Sequence, residues 1–193
     1  DGLIRAYEIA DGRVHFQSKF VRTTKFREEE AAGRYKYATW STRAPGGIFR
    51  NFGATRRRSQ AEATVYARHG KLIAFDEVGL PWALDPATLA TTSRFQIGGP
   101  SNRPAFKTRT KLDPLSGDWT VLGHDYVEPL KLRVLVENAQ GLTKTELSMK
   151  LPRASYFRDF FATARHIVVG LNAVEIKTMR AVLGMAPLLD AVR

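Results

Sequence analysis

The first twenty residues alternate. Leu3-Ile4-Arg5-Ala6-Tyr7-Glu8-Ile9 runs into Ala10-Asp11-Gly12-Arg13, and Val14-His15-Phe16-Gln17-Ser18-Lys19-Phe20 follows. Successive side chains of a strand point to opposite faces, and an Asp-Gly pair supplies the positive φ angles of a two-residue turn, so the pattern specifies a β-hairpin. The device returns along the chain. Thr64–Tyr66 meets Lys71–Phe75 across His69-Gly70, and 132–137 meets 143–149 across Gln140-Gly141. Arg94–Ile97, Trp119–Leu122 and His166–Leu171 read as further strands. Turn clusters at Gly79-Leu80-Pro81, Asp85-Pro86, Gly98-Gly99-Pro100 and 113–118 separate them. Short strands with turns every ~8–12 residues predict an all-β sandwich, barrel or propeller. Helix is expected only over Lys25–Gly33, closed by its glycine, and over Ile176–Leu183, stopped by Gly184.

With 193 residues and 44% apolar content, the chain has material for one core, or two small ones. It has no cysteine, which removes disulfides, thiolate metal sites and Cys nucleophiles. No apolar run approaches the ~18–20 residues of a spanning helix. The opening Asp1-Gly2 enters strand-like sequence directly, so the chain is expected to begin inside a domain. The net charge is +11, and it is unevenly spread. Between Ala31 and Ala61 there is no acidic residue, but Arg34, Lys36, Arg43, Arg50, Arg56, Arg57 and Arg58 stand among Tyr35, Tyr37, Trp40, Phe49 and Phe52. Basic side chains neutralise phosphates and aromatic rings stack on bases, so a loop of this composition, about 31–61, suits RNA, an acidic protein or an anionic lipid surface.

Longer segments carry a resemblance. Asp1-Gly2-Leu3-Ile4-Arg5-Ala6 with Asp11-Gly12-Arg13-Val14, then Phe20-Val21-Arg22-Thr23 and Ala31-Ala32-Gly33-Arg34, resemble consecutive motifs of the carotenoid cleavage oxygenases. So do His69-Gly70-Lys71-Leu72-Ile73-Ala74, Gly79-Leu80-Pro81-Trp82-Ala83-Leu84-Asp85-Pro86, the segment 111–118, Leu151-Pro152-Arg153 and Asp159-Phe160-Phe161-Ala162-Thr163. The match is collinear and covers nearly the whole chain. It implies that residues 1–193 form an incomplete seven-bladed β-propeller, comprising the N-terminal to middle blades. It also implies Fe(II) held by four histidines near the propeller axis.

Two of those histidines belong to motifs present here, and the resemblance aligns them with Arg109 and Arg158. A metal ligand needs a lone pair, which imidazole supplies and a permanently protonated guanidinium does not. A unit charge ~4 Å from another costs about 4 kcal/mol at an effective dielectric near 20, and a divalent ion doubles it. Iron binding is therefore expected to be lost, leaving no cofactor and no catalytic residue. Arg109 and Arg158 could instead share an anion, or each could pair with a nearby carboxylate such as Asp159. His15, His69, His124 and His166 form no His-x-His or His-x₃-His pair and read as surface or structural residues. Asp76 and Glu77, on one strand, would face opposite ways.

These features predict a non-catalytic relative of the oxygenases. It would serve as an accessory subunit in an organellar matrix or stroma, with the cytoplasm as the alternative, and partner subunits would cover its open sheet edges. An iron-dependent carotenoid- or stilbene-cleaving dioxygenase or isomerase is the competing expectation. A basic RNA-contacting module is the third.

Overall fold

The computed structural model describes residues 1–53, 58–77, 79–98, 105–106, 109–124, 131–152, 157–163, 165–171 and 179–191. Strands β1 (Leu3–Ala10) and β2 (Arg13–Phe20) form the expected hairpin, with Tyr7 opposite Phe16 and Ile9 opposite Val14. Helix α1 (Thr24–Ala32) follows. The Thr23 hydroxyl accepts from the Phe26 N–H, and Gly33 closes the helix at φ 57°, where a side chain would be strained. A second helix, α2 (Gly47–Asn51), lies inside the basic stretch, where the sequence pattern predicts only loop.

The next four strands, β3 (Thr64–Arg68), β4 (Lys71–Phe75), β5 (Trp82–Leu84) and β6 (Thr91–Arg94), make an antiparallel meander in chain order. A second sheet has the order β11-β10-β9-β7, with β8 also paired to β9. Its members are β7 (Ala105–Phe106), β8 (Lys111–Leu112), β9 (Trp119–His124), β10 (Lys131–Glu137) and β11 (Thr143–Lys150). A short hairpin, β12 (Phe161–Ala162) with β13 (Ile167–Val168), comes next, and α3 (Met179–Val182) stands near the end.

Two strand expectations shift. The strand expected over Arg94–Ile97 is β6, three residues earlier; Phe95 and Ile97 leave it to pack against the core, and the polar Thr91-Thr92-Ser93-Arg94 supplies the edge. Of the strand expected over His166–Leu171 only β13 pairs, because its partner ends at the Thr163 turn, while Val169 and Leu171 pack as side chains. Of the helix expected over Ile176–Leu183, α3 is the described part, and residues 176–178 lie outside the described residues.

Period two explains the layering. On β4, Ile73 and Phe75 face the second sheet, while Leu72 and Ala74 face the β1–β2 hairpin. On β10, Leu135 faces the first sheet, and Leu132 and Val134 face the β12–β13 hairpin. Among the described residues three separate cores result, one at each interface between successive layers, as in blades stacked around an axis. Trp119 anchors the middle one, 2% exposed, edge-on to Phe75 and Phe95. Its indole N–H donates to Thr110 Oγ1 at 2.8 Å.

Polar groups lock the same interface. The Arg68 guanidinium lies 5.1 Å from the Trp119 ring and donates to the Asn138 carbonyl at 2.6 Å. Glu137, 5% exposed, accepts from the Gly98 N–H at 3.2 Å. Burial pushes the Glu137 carboxyl above its ordinary range, against the pull of that N–H and of the Arg68 and His69 charges. A raised folded value gives a contribution to stability that is complete below the unfolded value of about 4.3 and lost as pH climbs through the folded one. Glu137→Gln keeps the acceptor and removes the charge. We expect it to raise the melting midpoint at pH 7 and to leave it unchanged near pH 4; thermal denaturation at both values checks this.

Candidate functional site

Arg109 and Arg158 are held close to buried anchors. Thr110 is buried, bonded to Trp119 through its hydroxyl and to the Tyr66 hydroxyl through its N–H at 3.2 Å. This fixes Arg109 and Lys111 on either side of it. Phe157 and Phe160 are both buried, and Arg158 and Asp159 lie between them. Lys111 bridges to Asp159 at 2.8 Å, and its ammonium lies 5.5 Å from the Phe160 ring. Arg158 approaches Glu77 at 3.8 Å and is two-thirds exposed. Burial pushes the Asp159 carboxyl up, but the Lys111 hydrogen bond, the Phe160 N–H and the charges of Lys111 and Arg109 outweigh it and hold the group below the usual carboxylate range. The cluster therefore holds three cations and two carboxylates. Asp159 pairs with Lys111 and not with Arg158, so Lys111 is a member that the motif reading passed over.

Asp76 and Glu77 do not share a strand, because β4 ends at Phe75. Asp76 is buried and accepts from the Gln60 N–H, a brace for the chain entering β3; Glu77 turns toward Arg158. Among the described residues no three His, Asp or Glu side chains gather as a metal site. His15 and His166 are exposed on separate hairpins, and His69 occupies its turn beside Gly141. The His124 side chain lies outside the described residues.

The basic stretch divides. Lys36 and Arg58 both lie over the Tyr37 ring, at 5.9 and 5.4 Å. Glu29, buried on α1, organises this end: it bridges Lys25 at 2.8 Å and accepts from the Lys36 and Tyr37 N–H groups. Arg34 is exposed beside Tyr35, itself 79% exposed. Arg43 and Arg50 belong to another locus, where α2 meets α3. Arg43 donates to the Gly184 carbonyl at 3.3 Å, and Phe49 stands 97% exposed. Arg56 and Arg57 lie outside the described residues.

Comparison with known proteins decides the lineage. The profile of the retinal pigment epithelial membrane protein family matches residues 1–192. The chain belongs to that family. Apocarotenoid-15,15'-oxygenase of Synechocystis is 28% identical to it, covering 96% of this chain and 40% of its own length. Isoeugenol monooxygenase of Pseudomonas putida is 29% identical over 84% of this chain and 34% of its own. The solved structure of cobalt-substituted Synechocystis apocarotenoid oxygenase superposes with a TM-score of 0.87 at 27% identity, covering all of this chain and 42% of that one. The fold is thus the oxygenase propeller type, and the chain spans less than half the length of the relatives it matches. Carotenoid-oxygenase-like proteins of the retinal pigment epithelial membrane protein family are non-haem iron enzymes as a class. The donors described here do not fit that ion, since two guanidiniums, an ammonium and two carboxylates already engaged by them make no ligand set.

Proposed function

We propose that this chain is a non-catalytic member of the family that has exchanged iron-binding histidines for Arg109 and Arg158 and works as an accessory subunit of a larger assembly. The charge-paired cluster of Arg158 with Glu77 and of Lys111 with Asp159 carries the reading. Cations there oppose a ferrous ion and satisfy the carboxylates in its place. Exposed apolar surface supports the need for partners. The outer face of the β1–β2 hairpin presents Tyr7, Ile9, Val14 and Phe16 at 56–78% exposure, and edge strand β11 leaves Leu147 and Met149 half exposed. Soluble monomers rarely expose contiguous apolar faces of this kind. A protein subunit is the favoured cover; Arg50 next to the exposed Phe49, with Arg43 at the same α2–α3 locus, suits anionic lipid, and Lys36 and Arg58 over Tyr37 suit RNA. A basic, cysteine-free chain fits an organellar matrix or stroma.

The uncovered length of the relatives favours one other reading, a portion of an iron-dependent oxygenase acting on an apocarotenoid- or stilbene-like alkene. Metal analysis after Fe(II) loading, combined with size-exclusion chromatography, separates the two. The accessory reading expects less than a tenth of an iron per chain and self- or partner-associated species. Stoichiometric iron in a stable monomer overturns it.

A further inference from the structure

Away from that cluster, a cleft of about 380 Å³ opens between the start of α1 and the β5–β6 edge, lined by Arg22, Thr24, Arg27, Trp82 and residues 91–94. Among the described residues no carboxylate lines it. We propose that it is a binding site for the phosphate group of a small phosphorylated molecule, a function independent of the iron question.

Three observations converge. First, the cations differ in commitment. Arg22 forks onto Glu30, and the Arg94 guanidinium lies over the Trp82 ring, 5.4 Å from its centre; among the described residues neither Arg27 nor Arg94 has a carboxylate partner. A planar guanidinium presents paired donors that match two oxygens of a phosphate. Second, the floor contains an orphan donor. Trp82 is 4% exposed, and its indole N–H has no acceptor. A buried N–H left unpaired costs free energy of about 1–3 kcal/mol; the atom is closed to solvent, so the acceptor oxygen of an entering ligand relieves that cost as the side chains around the ring give way. Third, Thr24 is the first residue of a nine-residue helix, whose opening N–H groups and dipole favour an anion. The chain upstream is fixed, since the Arg22 N–H donates to Thr91 Oγ1 at 2.9 Å and so ties the helix start to β6. Ser93 is exposed and adds a hydroxyl at the rim, while the Thr92 hydroxyl donates to the Ala83 carbonyl at 3.1 Å.

The test titrates inorganic phosphate and glycerol phosphate, at constant ionic strength, into the protein with its indole N–H groups observed by nuclear magnetic resonance. The Trp82 signal is assigned by its absence in Trp82→Phe. The expected result is saturable movement of that signal, with the dissociation constant raised at least tenfold in Arg27→Gln and Arg94→Gln and unchanged in Arg165→Gln, which removes the same charge from the exposed turn between β12 and β13. Tighter binding of glycerol phosphate identifies an esterified ligand, and equal binding identifies free phosphate. An unmoved Trp82 signal, or equal weakening by all three substitutions, overturns the site. Neither result bears on iron content, so the two readings fail separately.

Discussion

Trp119→Ala is expected to lower the melting midpoint by about 6–20 °C, the equivalent of about 3–5 kcal/mol, in a chain of this length. The residue is 2% exposed at the centre of the core between the two four- and five-stranded sheets. Truncation would strip the edge contacts with Phe75 and Phe95, remove the platform under Arg68 and orphan the Thr110 hydroxyl. Thr110 also positions Arg109 and Lys111, so the variant should loosen the charged cluster as well. Trp119→Phe keeps most of the volume and loses only the hydrogen bond and part of the packing. It should cost less than half as much by thermal or urea denaturation. Equal losses in both variants would show that the hydrogen bond, and not the packing, dominates.

Gly184→Ala ranks next. Gly184 sits at φ 71°, and a Cβ there would lie 2.6 Å from the Ile48 carbonyl oxygen and 2.8 Å from the Asn51 carbonyl carbon. Both obstacles are backbone, which cannot swing aside as a side-chain tip can. Left-handed strain of about 1–3 kcal/mol adds to overpacking of similar size. We expect a loss of about 3 kcal/mol, seen as a fall of roughly 6–12 °C in the midpoint. A change below 1 °C would mean that the contact between α2 and α3 contributes nothing to stability.

The hairpins were readable in the sequence because two independent signals agreed there, a period of two and a turn pair such as Asp11-Gly12. α2 was not readable, because nothing local makes it. Gly46 offers no capping side chain, and five residues are too few to hold a helix. The Asn51 side chain, which brackets Ala44 and bonds the Gly47 carbonyl, supplies the missing ties, together with the distant Gly184. The burial of Glu29 is equally non-local. In a run of three glutamates it looks like solvated helix surface, yet it is the one the fold buries against Lys25. Arg109 and Arg158 were visible because motifs flank them; Lys111 was visible only as a residue, since its partner lies 48 positions away. The cleft at Trp82 was invisible, because strand pairing brings 82 and 94 together while a separate bond brings 22 to 91.

The joint between α2 and α3 has a kinetic side. Arg43 reaches Gly184 across 141 positions, the Gly53 N–H reaches the Val182 carbonyl, and the Leu189 N–H reaches that of Trp40. Neither single-turn helix persists without the other, and the loop that must close to unite them encloses both sheets. The clasp can therefore form only after those sheets have assembled, and its two sides must separate together, making it a late-fastening, first-opening unit of the molecule.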